Sequence, residues 1–367
     1  MKIRFNNASN KKFIEVLKTR LSAHFDKLPN NQHANTAMWV KVWFWLLSWL
    51  GTYLLLILAG KEMSGYQQLL VAVLHGFTHL FIAFNISHDA NHYAISKSRT
   101  VNELYSLSLD LIGVNSYLWR VSHNEEHHTY INVLEVDNNI NGFGVLRFSP
   151  QDRLLPFFKY QHLYAPLLYG LVTFNYATFK DFQLGWKAIK NGRKIPAMEI
   201  VKMLFFKMFY FLYVVIIPYM VLEIPLWKIL LTFVFVHFLL GLTLSFVFQC
   251  GHLTEDAHYP EVDENGNIND AWAVHVVKTT CDFGSENPFL NWMVGSINIH
   301  VIHHIYPKIC HIHYHDVYPI VKQTAEEFGL YYRQYPSFWS AIRSHIKILK
   351  ELGRGNDDYI KQQLEMR

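Results

Sequence analysis

The chain has 367 residues, of which 51% are hydrophobic, 16% aromatic and only 17% charged. Typical soluble domains contain about 25% charged residues, so this composition favours a protein that spans a membrane. The formal net charge of +4 is small and no compact basic patch is present, which argues against a nucleic-acid-binding protein.

The first part of the chain contains a polar segment and one predicted helical hairpin. Residues 1–36 are polar and basic, without the short apolar core of a cleavable signal peptide, and we expect them to be a cytoplasmic N-terminal segment. Apolar runs at about residues 38–59 and 68–87 are each long enough to cross a bilayer, which takes roughly 20 helical residues. The short link GKEMSGY joins them.

A long polar segment separates this hairpin from a second one. Its stretch 160–179 is apolar and aromatic but is interrupted by Pro166. We predict a helix in the membrane interface here, because a fifth span would place later histidines on the opposite side from earlier ones. Two further spans are predicted at 203–222 and 226–250, joined by EIPLW.

The distribution of basic residues predicts how these helices are oriented across the membrane. Lysines and arginines concentrate in the N-terminal and middle segments, whereas the two short links hold only Lys61. Basic residues accumulate on the cytoplasmic side, so both termini and the middle segment are expected there. The sequence therefore predicts an all-α membrane protein with four transmembrane helices in two hairpins. We expect one main domain at 37–345 and a C-terminal tail at 346–367.

The 21 histidines include three clusters with short spacings. They are HDANH with His88 and His92, HNEEHH with His123, His127 and His128, and HVIHH with His300, His303 and His304. Spacings of three and four place side chains on one face of a helix, and adjacent histidines can each reach one of two neighbouring metals. Neutral imidazoles suit zinc, copper or iron, and eight ligands are too many for one ion. Two metals are predicted, and iron is favoured if the protein is an oxygenase.

Other histidines and the cysteines receive structural interpretations. His75 and His79 share a face of the second span, where packing against a bundle partner competes with a functional role. His275 is expected to make a structural hydrogen bond. His311, His313 and His315 alternate after the third cluster and are expected at the surface or the interface. The cysteines, expected to be buried thiols, are Cys250, Cys281 and Cys310.

The boxes and their surroundings resemble the membrane-bound fatty-acid desaturases, in particular the bacterial linoleoyl-CoA or front-end type. The resemblance runs from HDANHYA and HNEEHHTYINVLEVDNNI through FQCGHLTEDAHYP and WAVHVVKTTCDF to NIHVIHHIYPKICHIHY and FGLYY. It implies a four-helix membrane anchor with a cytoplasmic helical cap that holds a di-iron site. It also implies a ninth ligand, His252, at the cytoplasmic end of the fourth span, with Gln249 as a candidate support.

The resemblance further implies a desaturase that uses two iron ions and O2 to introduce a double bond into a fatty acyl chain, carried as acyl-CoA or acyl-lipid. No HPGG haem motif is present, so a separate donor such as ferredoxin or cytochrome b5 is expected to supply electrons. His300 stands where front-end members commonly have glutamine, so the double-bond position is not carried over. A multi-pass protein of the bacterial inner membrane is expected, with its active site on the cytoplasmic side.

Candidate supporting groups and alternative functions complete the prediction. Carboxylates that accept the outer N–H of ligating histidines are expected among Asp89, Glu125, Glu126 and Asp137. One alternative is a hydroxylase of an alkyl lipid or carotenoid on the same centre. A metal transporter would place its ligands near the bilayer midplane, and a zinc hydrolase would need an HExxH-like motif, which the boxes do not supply.

Overall fold

The computed structural model describes residues 3–6, 11–142 and 144–365. In this part of the chain helices predominate, and four of them are long and apolar enough to cross a membrane. They are Thr36–Glu62, Gly65–Asn91, Ala197–Leu222 and Leu226–His252. The four spans predicted from the sequence are confirmed, and we call them the first to fourth long helices.

Each long helix extends beyond the apolar run that predicted it, because polar residues form its ends. Asn35 caps the first long helix by accepting a hydrogen bond from the Met38 N–H at 3.0 Å. Ser64 and Gln67 form a capping box at the start of the second. That helix then continues through a π-helical turn, Ala83–Ser87, into His88–Asn91, so the first box is helical.

The chain divides into two compact units. Unit 1 comprises Met1–His33, Ser122–Pro166 and Phe246–Arg367, and unit 2 comprises Ala34–Val121 and Leu167–Ser245. The second and third boxes and His252 therefore belong to unit 1, whereas the first box belongs to unit 2.

Unit 2 contains the first three long helices and most of the fourth. Its shorter helical elements are Arg99–Leu111, Ser116–Arg120, Val172–Asn175, Tyr176–Lys180 (π-helical) and Asp181–Lys190. Large apolar side chains of the long helices, such as Trp43, Leu58 and Met220, are exposed, as expected of surfaces that face lipid.

The segment predicted to lie in the interface is broken into short pieces. They are Pro156–Tyr160, Gln161–Tyr169, Val172–Asn175 and Tyr176–Lys180. Pro166 lies inside the second piece, and none of the four is long enough to span a bilayer. Their location in the membrane interface stays a prediction.

A buried ion pair fixes the third long helix within unit 2. The Lys207 ammonium lies 2.8 Å from the Asp181 carboxylate and also donates to the Gly113 and Tyr176 carbonyls, both at 2.6 Å. Asp181 in turn accepts the Asn115 N–H at 2.9 Å. Because both charges are buried and multiply hydrogen-bonded, removal of either partner would leave an uncompensated charge.

Unit 1 is built from short helices around one hydrophobic core. Its helices are Lys11–Phe25, Trp272–Thr279, Pro288–Met293, His300–Ile305, Tyr314–Glu327, Phe338–Arg354 and Asp357–Glu365, with 3-10 turns at Asn138–Ile140, Pro156–Tyr160 and His311–His313. Two parallel strand pairs, Arg4–Phe5 with Asn267–Ile268 and Asp282–Phe283 with Gln334–Tyr335, connect distant segments. The core includes Phe13, Leu17, Ile302 and Val321, so the N-terminal helix is an integral part of this unit.

The C-terminal helices are also packed into unit 1. The Arg147 guanidinium binds both carboxylate oxygens of Asp357, at 2.9 and 3.0 Å, and donates to the Leu352 carbonyl at 2.8 Å. Leu349 and Leu352 are fully buried. The predicted boundary at 345/346 falls inside the helix Phe338–Arg354. All three cysteines are free and buried, as predicted.

The Asp110 carboxyl of unit 2 gives a pH prediction. Burial raises its pKa to about 6 from an ordinary value of 3.8, so the folded protein binds this proton more tightly than the unfolded chain. Stability from this group is present below about pH 4 and is lost as pH rises to about 6. We expect wild type to lose about 1–3 kcal/mol over that range relative to Asp110→Asn. Apparent unfolding temperatures at several pH values measure this loss.

The exposed acid Glu62 supplies the control, since Glu62→Gln should leave the pH dependence unchanged. Parallel pH profiles for wild type and Asp110→Asn would show that Asp110 does not contribute.

Candidate metal centre

A π-helical turn positions the second box. Residues Val121–His127 are π-helical, and the His128 N–H donates to the His123 carbonyl at 2.9 Å, a bond over five residues. The two side chains five residues apart therefore lie together, with their Nε2 atoms 3.1 Å apart. Spacings of three and four residues, on which the sequence prediction relied, do not describe this pair. π-turns often occur at functional sites.

The third box lies on a short helix that begins at a buried carboxylate. His300–Ile305 is helical, and Asp282 accepts the Val301 N–H at its start at 2.9 Å. Tyr332 also donates its hydroxyl proton to Asp282. The Asp282 carboxylate therefore fixes the first turn of the helix that carries the third box, a role that the sequence analysis did not anticipate.

Four histidines of unit 1 converge on one point, and we call them cluster A. They are His127, His252, His300 and His304. One ring nitrogen from each lies within 4.8 Å of the others, and all four side chains are buried. The Nε2 atom of His252 is 2.7 Å from that of His300 and 3.2 Å from that of His304, and the last two are 3.1 Å apart.

The partners of the Nδ1 atoms determine the tautomers of three of these rings. The Nδ1 atoms of His300 and His252 lie 2.8 Å and 3.3 Å from the carbonyls of Ile297 and Thr279. A carbonyl only accepts, so each Nδ1 carries the proton and each Nε2 keeps its lone pair. His127 is held in the same way, with its Nδ1 3.0 Å from both oxygens of Asp137.

This geometry fits a metal ion. The Nε2 lone pairs of His252 and His300 face each other at 2.7 Å, an arrangement that is repulsive unless a cation binds both nitrogens. Two nitrogens that bind one ion at about 2.1 Å and at right angles lie about 3 Å apart. The Nε2 separations in cluster A are close to this distance. The Nε2 of His127 is buried and has no hydrogen-bond partner among the described residues.

The charge state of cluster A also suits a metal. Burial, reinforced by the neighbouring rings of His128 and His300, holds the pKa of His304 well below its usual value of 6.5. The ring is therefore neutral at physiological pH, and a neutral imidazole is the form that binds metal.

A second group in unit 1, cluster B, consists of His123, His128 and His303. All three are buried, and His123 and His128 make the Nε2 contact described above. Candidate ligand nitrogens of His128, His303 and His304 lie within 4.8 Å of one another. The Tyr314 hydroxyl lies 3.3 Å from His303 Nδ1. Neighbours in sequence thus separate between clusters, with His127 and His304 in A and His128 and His303 in B.

The first box belongs to unit 2. His88 and His92 are both buried at the end of the second long helix, and their ring centroids are 4.8 Å apart. Asp89 Oδ1 is 3.9 Å from His88 Nδ1, beyond hydrogen-bond distance. That these two histidines bind metal stays a prediction from the sequence.

Among the other acids named from the sequence, Asp137 makes the expected contact. Besides His127 it accepts the N–H groups of Asn132 and Asn139, at 3.0 and 2.9 Å. Glu126 accepts from the Asn138 side chain, and Glu125 is exposed. Gln249 Nε2 lies 3.4 Å from the Asn139 carbonyl.

The prediction for His311 and His313 is wrong, because both are buried rather than at a surface, whereas His315 is exposed. His313 Nε2 donates to the His33 carbonyl at 2.9 Å, and its ring packs edge-on against Phe25. The N-terminal segment thus covers this turn, a contact across 280 residues that local spacing does not reveal.

Gly251 is a site residue that the sequence analysis missed. A Cβ atom at this position would lie 2.5 Å from Cδ2 of the His300 ring, closer than any real contact of that kind. The ring therefore packs directly on the backbone beside His252. The only signal in the sequence is a glycine next to a predicted ligand.

Helices fit to cross a membrane and buried histidine clusters that could bind metal define a membrane protein with a candidate metal centre. Residues 64–336 match the family model described as fatty acid desaturase. This chain belongs to the fatty acid desaturase family, and it is an oxidoreductase of that family.

Curated relatives cover most of the chain. It is 34% identical to the sn-1 linoleoyl-lipid 6-desaturase of Arthrospira platensis, over 93% of this chain and 92% of that protein. It is 31% identical to the sn-1 linoleoyl-lipid 6-desaturase of Synechocystis sp., over 94% of this chain and 96% of that protein. It is 29% identical to the acyl-lipid (8-3)-desaturase of Physcomitrium patens, over 96% of this chain and 74% of that protein.

Asp137→Ala tests the tautomer argument. Loss of the carboxylate frees His127 to protonate Nε2, so we expect metal affinity to fall by about 10–100-fold. Metal content after dialysis against chelators of increasing strength measures this change. The control is Glu125→Ala, which removes an exposed acid of the same box. Equal metal retention by both variants would contradict the role of Asp137.

Gly251→Ala tests the packing of His300. The added methyl group displaces the ring, so we expect metal content to fall while the secondary structure persists. Gly51→Ala is the matched control, because its Cβ would meet no atom within 4 Å, and a helical alanine should stabilise slightly. Circular dichroism and metal analysis of both variants distinguish a local defect from unfolding. Full metal content in Gly251→Ala would refute the close contact.

Proposed function

We propose that this protein is a di-iron, O2-dependent desaturase of fatty acyl chains. The facing Nε2 lone pairs of His252 and His300 are the observation that carries the proposal, because that arrangement needs a cation. Breaking an unactivated C–H bond is beyond amino-acid acids and bases, and a bound pair of redox-active irons supplies that oxidation with O2. Iron is favoured over zinc because the reaction is an oxidation.

The proposed ligand set follows the two clusters. Cluster A would hold one ion, and cluster B together with the predicted ligands His88 and His92 would hold the other. Every proposed ligand is an imidazole, so the ions keep their positive charge. Asp137 fixes the tautomer of His127, and Asp282 fixes the helix that carries His300, His303 and His304.

The proposed reaction converts two adjacent methylene groups into a double bond. The two hydrogens, one O2, two electrons and two protons give two molecules of water. A separate protein such as ferredoxin or cytochrome b5 is proposed as the electron donor.

The substrate and the location are proposed from different observations. Curated relatives are named linoleoyl-lipid or acyl-lipid desaturases, and we infer that the acyl chain is esterified in a lipid, with acyl-CoA as the alternative carrier. The proposed location is the bacterial inner membrane, and the distribution of lysine and arginine supports an orientation with the boxes, cap and termini on the cytoplasmic side. The domain limits 37–345 belong to the same proposal.

Expression in a host of known lipid composition tests the proposed function. We expect new fatty acids that have lost two hydrogens, detected by gas chromatography with mass spectrometry, and none in His304→Ala. His315→Ala, which removes an exposed histidine outside the clusters, should retain activity. Products that instead gain oxygen would favour the hydroxylase, and unchanged lipids with iron-loaded protein would contradict acyl desaturation.

A further inference from the structure

Unit 2 contains a cavity of about 470 Å³ among its long helices. One end is lined by exposed residues near the helix ends, including Gly65, Glu223 and Lys228, and the walls are mainly apolar. At the other end the lining consists of buried aromatic and imidazole groups, namely His75, His79, Tyr210, Tyr213 and His237. The volume is in the range of small-molecule sites.

Hydrogen bonds fix the tautomer of His237. The Thr173 hydroxyl donates to the His237 backbone carbonyl at 2.7 Å, so it accepts from His237 Nδ1 at 3.2 Å. The Nε2 atom then keeps its lone pair and accepts the Tyr210 hydroxyl proton at 2.9 Å. Both ring nitrogens of His237 and the proton of Tyr210 are thus used within the protein.

The same reasoning gives His79 an acceptor nitrogen. The Tyr213 hydroxyl donates to the Leu111 carbonyl at 2.9 Å, so its oxygen accepts from His79 Nε2 at 3.2 Å. A neutral imidazole has one N–H group, and Nδ1 of His79 is therefore left with a lone pair.

His75 is the third ring and it supplies a second acceptor. The Thr52 hydroxyl donates to the Ser48 carbonyl at 2.8 Å, so it accepts from His75 Nδ1 at 3.0 Å. Nε2 of His75 keeps its lone pair and has no hydrogen-bond partner among the described residues, although only 6% of the side chain is exposed. The rings of His75 and His79 lie 4.6 Å apart.

The polar atoms left over at the deep end are therefore acceptors, whereas the protons of Tyr210 and Tyr213 are already donated. Carboxylates and ketones bring only acceptors and would face these lone pairs. A cation would need further ligands, and His75, His79 and His237 do not form a three-ligand group among the residues described. A hydroxyl group supplies the missing proton at no cost in buried charge.

We propose that this cavity binds an amphiphile with an apolar body and a terminal hydroxyl, which donates its proton to the His75–His79 pair. Two kinds of molecule have this combination of an apolar body and a hydroxyl group: a long-chain alcohol and a hydroquinone with an alkyl tail. The proposal concerns binding alone and does not depend on the proposed desaturation.

Photolabelling of the full-length protein in lipid nanodiscs tests this site. The probe is a long-chain primary alcohol with a diazirine in mid-chain, and the reference probe is the same chain without the hydroxyl. We expect the alcohol to label peptides that line the cavity, within residues 65–79 and 222–240, and the hydrocarbon to label lipid-facing residues instead. An alkyl hydroquinone should compete if that is the source, whereas its quinone should not.

Paired variants separate hydrogen bonding from packing. The double variant His75→Leu with His79→Leu removes both acceptors, and we expect cavity labelling to fall about fivefold or more. His75→Gln with His79→Asn places an amide oxygen near each lost nitrogen and should retain most of the labelling. Ala72→Phe narrows the cavity and should block labelling, whereas Leu74→Phe, on the exposed face of the same helix, should not.

Three results would overturn the proposal. They are equal cavity labelling by the alcohol and the hydrocarbon, unchanged labelling in the double leucine variant, and labelling that Ala72→Phe does not reduce. The first two would show that the His75–His79 pair does not recognise the hydroxyl, and the third would show that the probe does not occupy the cavity. Should the double leucine variant fail to fold, Ala72→Phe against Leu74→Phe still decides whether the probe occupies the cavity.

Discussion

The candidate metal centre depends on where the imidazole protons are. In cluster A, the Ile297 and Thr279 carbonyls and the Asp137 carboxylate hold three Nδ1 protons on the outside of the site. The Nε2 lone pairs are consequently directed inward in a buried space. Fixed lone pairs at this separation repel one another, so the surrounding structure stabilises an arrangement that is favourable when a cation binds.

Several features of unit 1, from different parts of the chain, hold the histidine rings in these positions. The π-turn at the second box brings His123 and His128 together and directs His127 to the other cluster. Gly251 lets the His300 ring rest against the backbone. Asp282 anchors the helix of the third box. Its burial raises the pKa of its carboxyl group to about 6. Neither Gly251 nor Asp282 is itself a proposed metal ligand.

The sequence was sufficient for features that depend on local patterns. Four apolar runs predicted the four long helices. Histidines at short spacings predicted the residues of clusters A and B except His252, which was expected only from the resemblance to the desaturases. It was insufficient where the outcome depends on contacts between distant segments. Three such features arise only when the chain is folded: the burial of His313 beneath the N-terminal segment, the close packing of the His300 ring on Gly251, and the contact of Asp282 with the helix of the third box. The network around His75, His79 and His237 also depends on the folded chain, because its donors and acceptors come from six separate helical elements.

X-ray absorption spectroscopy at the metal edge of the purified protein tests the central claim most directly. The account predicts first-shell scattering from nitrogen at about 2.1 Å, with the outer-shell pattern of several imidazole rings on each ion. A first shell dominated by carboxylate or water oxygen, or a folded and active protein without any bound metal, would contradict it.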